Sequence, residues 1–223
     1  MALFRRSPSP TAAAEGLPPG ALRRYLETPA PSPQTRAEDM PLLAVDVETT
    51  GLDTRNDHLL SIGFVPVDGP VITLAGAGHI VVRSAAEVGQ SATFHRITDD
   101  ELAAGTHQEE ALEALLEALT GRVLLAHHAT METGFLERAV QQSFGVRIQI
   151  PTVDTMDLQY RLLTTGFDDE PPRGALRLWA AREQYGLPRY LAHEALSDAL
   201  ACAELYLAQV AHLGWQTTLK QLR

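Results

Sequence analysis

Residues 42–51 read LLAVDVETTG, an apolar segment of β-strand texture that gains a carboxylate at every second position before breaking at Thr49-Thr50-Gly51. Side chains alternate across a strand, so Asp46 and Glu48 share one face while Val45 and Val47 point to the other. Two like charges side by side at the end of an apolar strand are unfavourable unless a cation compensates, and a hard divalent ion with oxygen ligands does so. The alternative is a strand end that simply faces water.

The chain has 223 residues, 45% of them hydrophobic, enough for one sizeable core but cramped for two. Residues 1–40, rich in Pro, Ala, Ser and Arg, read as an extension with a short helix at residues 20–27. Residues 41–215 form the domain and 216–223 a tail. Apolar runs break well before the roughly 20 residues of a membrane span, and no secretory segment leads the chain, so a cytoplasmic protein is expected. The single Cys202 agrees with a reducing compartment and reads as a small core residue. The net charge of −10 disfavours a protein that coats duplex nucleic acid, but not an enzyme that engages only an end and holds metal.

Strand texture at residues 59–67 and 71–82 around the turn Asp68-Gly69 predicts a hairpin. Helical spacing follows at 109–119, a strand at 123–126, a helix at 131–144 and a short strand at 148–153. Further helices are expected at 157–163, 175–185 and 196–210. Strands first in a meander and then alternating with helices predict an α/β fold with a mixed central sheet flanked by helices.

Two more acids join the first pair. In VLLAHHATMETGFLERA, Glu132 shares a helix face with the apolar Phe135 and Leu136, so it points toward the core side and needs a cation or strong donors. Alternatively it favours the helix N-terminus through the macrodipole. In YLAHEALSDALACAEL, Asp198 lies near the start of a helix whose buried face is Leu196, Leu200, Ala203 and Leu207, with His193 just upstream. A histidine beside clustered carboxylates suits a general base. A zincin reading fails because the second histidine would fall at Ser197, and Gly76 and Gly78 lack the third glycine of a dinucleotide site at Val81.

DVETTG, AHHATMETGFL and HEALSDALACAEL, with VDTMDL between the last two, resemble the three motifs of the DnaQ-like (DEDDh) 3′-to-5′ exonuclease superfamily. The likeness spans about residues 41–210 and is similar to the polymerase III proofreading branch. It implies a ribonuclease H-like fold, with Asp46, Glu48 and Asp198 holding two divalent cations, Mg²⁺ or Mn²⁺, and His193 activating water. Nucleoside 5′-monophosphates would leave from a nucleic-acid 3′ end, DNA before RNA, with a DNA polymerase or repair partner and no membrane. Thr49, Thr50 and Leu52 would hold the terminal nucleotide, with His95 of the FHRIT segment near it. Glu132 departs from the aspartate usual in the second motif and His128 from the usual asparagine. Glu132 would reach a metal directly or through water, and His128 would touch the phosphate or merely close a strand. Arg161, Arg173, Arg177, Arg182 and Arg189 would track an incoming strand or form a solvated face, and Trp179 would stack a base or pack in the core. RNA exonucleases of the ribonuclease T or oligoribonuclease type, and a catalytically weakened nucleotide-binding module, stand as alternatives.

Overall fold

The acid-bearing strand forms where expected and is longer at both ends. In the computed structural model, which describes residues 13–84, 97–164, 170–190 and 193–223, β1 spans Pro41–Thr49. It pairs antiparallel with β2, Leu59–Asp68, from Pro41 opposite Asp68 to Thr49 opposite Leu59. The expected return strand of the hairpin is split into β3, Val71–Ile72, and β4, Gly78–Val81, both antiparallel to β2. The break falls opposite Pro66, whose carbonyl accepts from Thr73 on that side. Proline has no N–H to return the bond, so the ladder cannot run through.

On its other side β1 pairs parallel with β5, Val123–Ala126, and β5 with β6, Thr152–Asp154. The sheet order among the described residues is β3-β2-β1-β5-β6, with β4 also on β2. This is the mixed α/β arrangement read from the sequence.

Eight α-helices lie wholly within the described residues: α1 Ala21–Glu27, α2 Asp99–Ala104, α3 Gln108–Leu119, α4 Ala129–Phe144, α5 Thr155–Leu163, α6 Leu178–Gln184, α7 Ala195–Leu213 and α8 Leu219–Leu222. Helix α2 was not expected. Thr98 and Glu101 start it with a reciprocal capping box, each side chain bonding the other's backbone N–H.

Strand alternation sorts the core into two layers. Leu43, Val45, Ile62, Phe64 and Leu124 pack with Leu112, Leu115 and Leu116 of α3 and Leu136 and Val140 of α4, and α1 adds Leu22 and Leu26. Leu42, Ala44, Val65, Val67, Val123 and Leu125 pack on the other face with Cys202, Ala203, Tyr206 and Val210 of α7 and Leu158 of α5. Each fully buried aliphatic chain contributes about 1.5–3 kcal/mol. Asp46 and Glu48 continue the row of Leu42 and Ala44, and therefore belong to the α7 side.

Residues flanking the sheet close on one another. Ala37 N–H donates to Thr217 O, Leu219 N–H to Thr35 O and Lys220 N–H to Pro33 O. Leu219 and Leu222 enter the α7-side core. Arg161, read as a possible strand contact, donates instead to Gln221 O and Leu222 O, both at 2.8 Å, at the end of α8.

Candidate active site

Parallel pairing of β1 with β5 runs only from Leu42–Val123 to Ala44–Leu125. Asp46 and Glu48 stand beyond it, at the carboxyl end of the strand, where open α/β sheets leave a crevice. Across the antiparallel ladder Asp46 faces Gly63 and Glu48 faces Ser61. Gly63 brings the third acid in. A Cβ there would lie 2.1 Å from Ala195 C and Leu196 N, so the first turn of α7 rests directly on the β2 backbone, a closeness only glycine permits. One carboxylate oxygen each from Asp46, Glu48 and Asp198 then lie within 4.8 Å of one another.

The electrostatics of this trio are strained. Burial, followed by the charges of Glu132, Asp198 and Glu48, pushes the Asp46 carboxyl far above its ordinary value. Burial and the charge of Asp198 raise Glu48 to about 7. Burial also raises Asp198, against the lowering effect of the His193 N–H and of the His193 and Arg182 charges. Like charges drawn together out of water titrate upward in this way unless a cation joins them.

Glu132 stands outside the trio. It is buried in the first turns of α4 at 6% exposure, and burial raises its carboxyl to about 8. A carboxylate that merely served a helix N-terminus would be lowered, so desolvation outweighs the dipole here. Glu132 Oε2 and Asp198 Oδ1 are both buried without a hydrogen-bond partner among the described residues. Orphaned carboxylate oxygens are rare in native interiors and fit a hard cation.

The α4 N-terminus is set by a residue that sequence reasoning passed over. Asp154, at the end of β6, accepts from the backbone N–H of His128 at 2.9 Å, Met156 at 2.9 Å and Ala129 at 2.8 Å. It caps α5 and, from a neighbouring strand, the uncapped start of α4. The Asp-Thr pair opening a helical pattern was the available signal. His128 is exposed with a left-handed backbone, φ 82°. His127 donates from Nε2 to Leu176 O at 2.7 Å and meets Thr155 Oγ1 through Nδ1 at 2.8 Å, and burial lowers its pKa.

His193 stands at the mouth of the α7 turn. Its backbone N–H donates to Asp198 Oδ2 at 2.9 Å, its side chain is exposed and its φ is 68°. Non-glycine residues hold that conformation only where their surroundings impose it.

The expected nucleotide contacts separate. Thr49 Oγ1 donates to Gly51 O at 2.6 Å, and Thr50 Oγ1 donates to Asp57 Oδ1 at 3.0 Å while accepting from His58 N–H. Both hydroxyl protons are thus spent within the 50–58 loop. Leu52, at the loop tip, is 82% exposed. The loop is held against α4, where Gly134 packs on Thr54 and Arg138 donates to Asp57 O. His95 and the rest of FHRIT before Ile97 lie outside the described residues. Of the five arginines, Arg173 and Arg177 are exposed and their side chains make no hydrogen bond or ion pair among the described residues, Arg189 pairs with Glu183, and the buried Arg182 pairs with Glu204. Trp179 packs edge-on to Tyr190.

The exonuclease family model matches residues 43–206, which contain all five of these acids and the histidine. The chain belongs to the exonuclease family. It is a nuclease by that membership. It is 29% identical over 175 residues to the DNA polymerase III subunit epsilon of Treponema pallidum, covering 78% of this chain and 79% of that one. It is 28% identical over 170 residues to the PolC-type DNA polymerase III of Thermotoga maritima, where the match takes 76% of this chain but only 12% of that protein's length. The fold is similar to E. coli exonuclease I in complex with a dT13 oligonucleotide, at a TM-score of 0.65 and 15% identity over 78% of this chain and 42% of that one. No helix among the described residues is long and apolar enough to cross a membrane.

Proposed function

We propose that this exonuclease works 3′-to-5′ on single-stranded or frayed DNA ends, releasing nucleoside 5′-monophosphates. The observation that carries the reading is the trio Asp46, Glu48 and Asp198 within 4.8 Å, with a buried oxygen of Asp198 and one of Glu132 left unpartnered. These residues would hold two divalent cations, Mg²⁺ or Mn²⁺, with Glu132 as the outer member. Bound divalent ions neutralise the phosphodiester and acidify attacking water.

The chain's own groups account for the rest. His193 would take the proton of the attacking water, its backbone tied to Asp198 so that base and acid cluster move together. Leu52, projecting from a loop braced by α4, would rest against the terminal nucleotide, while the spent hydroxyls of Thr49 and Thr50 favour backbone rather than side-chain contacts there. His128 would meet the phosphate from the mouth of α4. Arg173 and Arg177 would follow the incoming strand: the His127 bond to Leu176 O ties their segment to the end of β5. A net charge of −10 suits an enzyme that grips an end and not a duplex. The epsilon relative supports a DNA polymerase as partner.

A gel assay on 3′- and 5′-labelled single-stranded DNA and RNA, with Mg²⁺, Mn²⁺ or chelator, tests this beside Asp46→Ala. Stepwise, metal-dependent shortening from the 3′ end of DNA is expected, absent in the variant. Cleavage retained by Asp46→Ala overturns the site, and cleavage of RNA alone overturns the substrate.

A further inference from the structure

Arg182 is the largest fully buried side chain among the described residues, at 1% exposure. Its guanidinium donates to Ala201 O on α7 at 2.5 Å, to Pro188 O at 2.8 Å and to Glu204 Oε2 at 2.7 Å. It also lies 5.3 Å from the Trp179 ring centroid and 5.0 Å from that of Tyr190. The Tyr190 hydroxyl completes the set, donating to Glu204 Oε1 at 2.7 Å. One cation therefore joins α6, the segment that leads away from it, and α7.

Both ends of that assembly run to the candidate active site. Ala201 and Glu204 sit one and two turns beyond Asp198 on the same helix. Tyr190 lies three residues before His193, whose backbone N–H is bonded to Asp198. The arm is thus fastened to α7 twice, at residues 188–190 through Arg182 and Glu204 and at residue 193 through Asp198. A left-handed backbone at His193 is what such double fastening can enforce. A buried ion pair is a weak device for stability, since apolar residues of similar volume often serve as well or better. The rigid fork of a guanidinium does what apolar packing does not: it fixes directions.

We propose that Arg182, Glu204 and Tyr190 are positioning residues that hold the His193 arm in register with Asp198. The proposal rests on His193 acting as the base, as argued above; because the Arg182 charge also bears on Asp198 directly, Tyr190→Phe, which leaves both charges in place, is the variant that isolates the arm.

Two variants separate geometry from stability. Tyr190→Phe removes one oxygen and keeps the ring. Arg182→Met with Glu204→Leu replaces the ion pair by apolar volume and leaves no unpaired charge. In each, kcat is expected to fall about tenfold or more while KM stays within about twofold, because a misplaced base slows chemistry without weakening binding. In Tyr190→Phe, calorimetric Mn²⁺ affinity should likewise stay within about twofold, and the loss in kcat should vanish in a His193→Ala background. A kcat within about twofold of the parent, or an undiminished loss in His193→Ala, overturns the clamp. Should the double variant fail to fold, Tyr190→Phe carries the test. Hydrogen exchange at the His193 amide gives a reading that needs no activity. Acceleration in folded Tyr190→Phe supports the clamp even if the parent cleaves no nucleic acid, which would sink the functional reading alone. Unchanged exchange overturns the clamp.

Discussion

Replacing Glu132 by glutamine should stabilise the metal-free protein at alkaline pH and do nothing of the kind at acid pH. Burial moves this carboxyl from 4.5 to about 8. A carboxyl raised on folding contributes stability that is fully present below the unfolded value, near 4.5, and is lost as pH rises through the folded value, near 8. By pH 9 the folded state must carry the ionised group, and the displacement corresponds to about 5 kcal/mol as an upper figure. Local relaxation and water entry bring the expected effect to about 2–4 kcal/mol. Glutamine keeps the shape and never ionises, so Glu132→Gln should exceed the parent by that amount at pH 9 in chelator and match it within about 1 kcal/mol at pH 5. Urea unfolding reads this as a midpoint shift of about 1–2 M. Added Mn²⁺ should erase the advantage by stabilising the parent selectively. A stability difference that is the same at both pH values, or a variant weaker than the parent at pH 9, refutes the assignment of a strained, unpartnered carboxylate.

Binding of Mn²⁺ should release protons between pH 6 and 8, because Glu48 and Glu132 sit near 7 and 8 and must ionise to serve a cation. Calorimetry in two buffers of different ionisation enthalpy measures the release, and identical heats would contradict it. Gly63→Ala should push α7 off β2, destabilising the fold by about 1–3 kcal/mol. It should also lower Mn²⁺ affinity, since Asp198 retreats from Asp46; unaltered affinity would show that α7 adjusts without moving the acid. Asp154→Ala strips three backbone N–H groups of their acceptor and should cost about 2–4 kcal/mol in thermal or urea unfolding, with a full-strength protein as the contrary result.

Much of this architecture is legible in the order of residues because it depends on local period. The two-residue alternation of 42–49 assigned Asp46 and Glu48 to one face, and the helical spacing of the third motif located Asp198. What the text of the chain does not carry is approach. Nothing in the sequence around Gly63 says that α7 will lie on it, or that Asp154 will cap a helix it does not precede. Charge was misleading for the same reason: Arg161 and Arg182 look like surface cations in a string, yet one caps α8 and the other is buried beside two aromatic rings. The split of the hairpin at Pro66 and the Thr98–Glu101 capping box were written plainly and went unread, being short features inside longer patterns. The second motif yielded a carboxylate on the core side, but its separation from the trio depends on where α4 begins, which Asp154 decides.

The laying of α7 across β1 and β2 also orders events in time. The long strand pair can form early from neighbouring chain, but its α7-side face stays uncovered until the last long helix has been made. Contacts between elements so distant in sequence form late and slowly. On the ribosome, therefore, the nascent protein carries Asp46 and Glu48 without their third member until the chain has been made as far as Asp198. The trio is completed in a single step, with the docking that also closes the core.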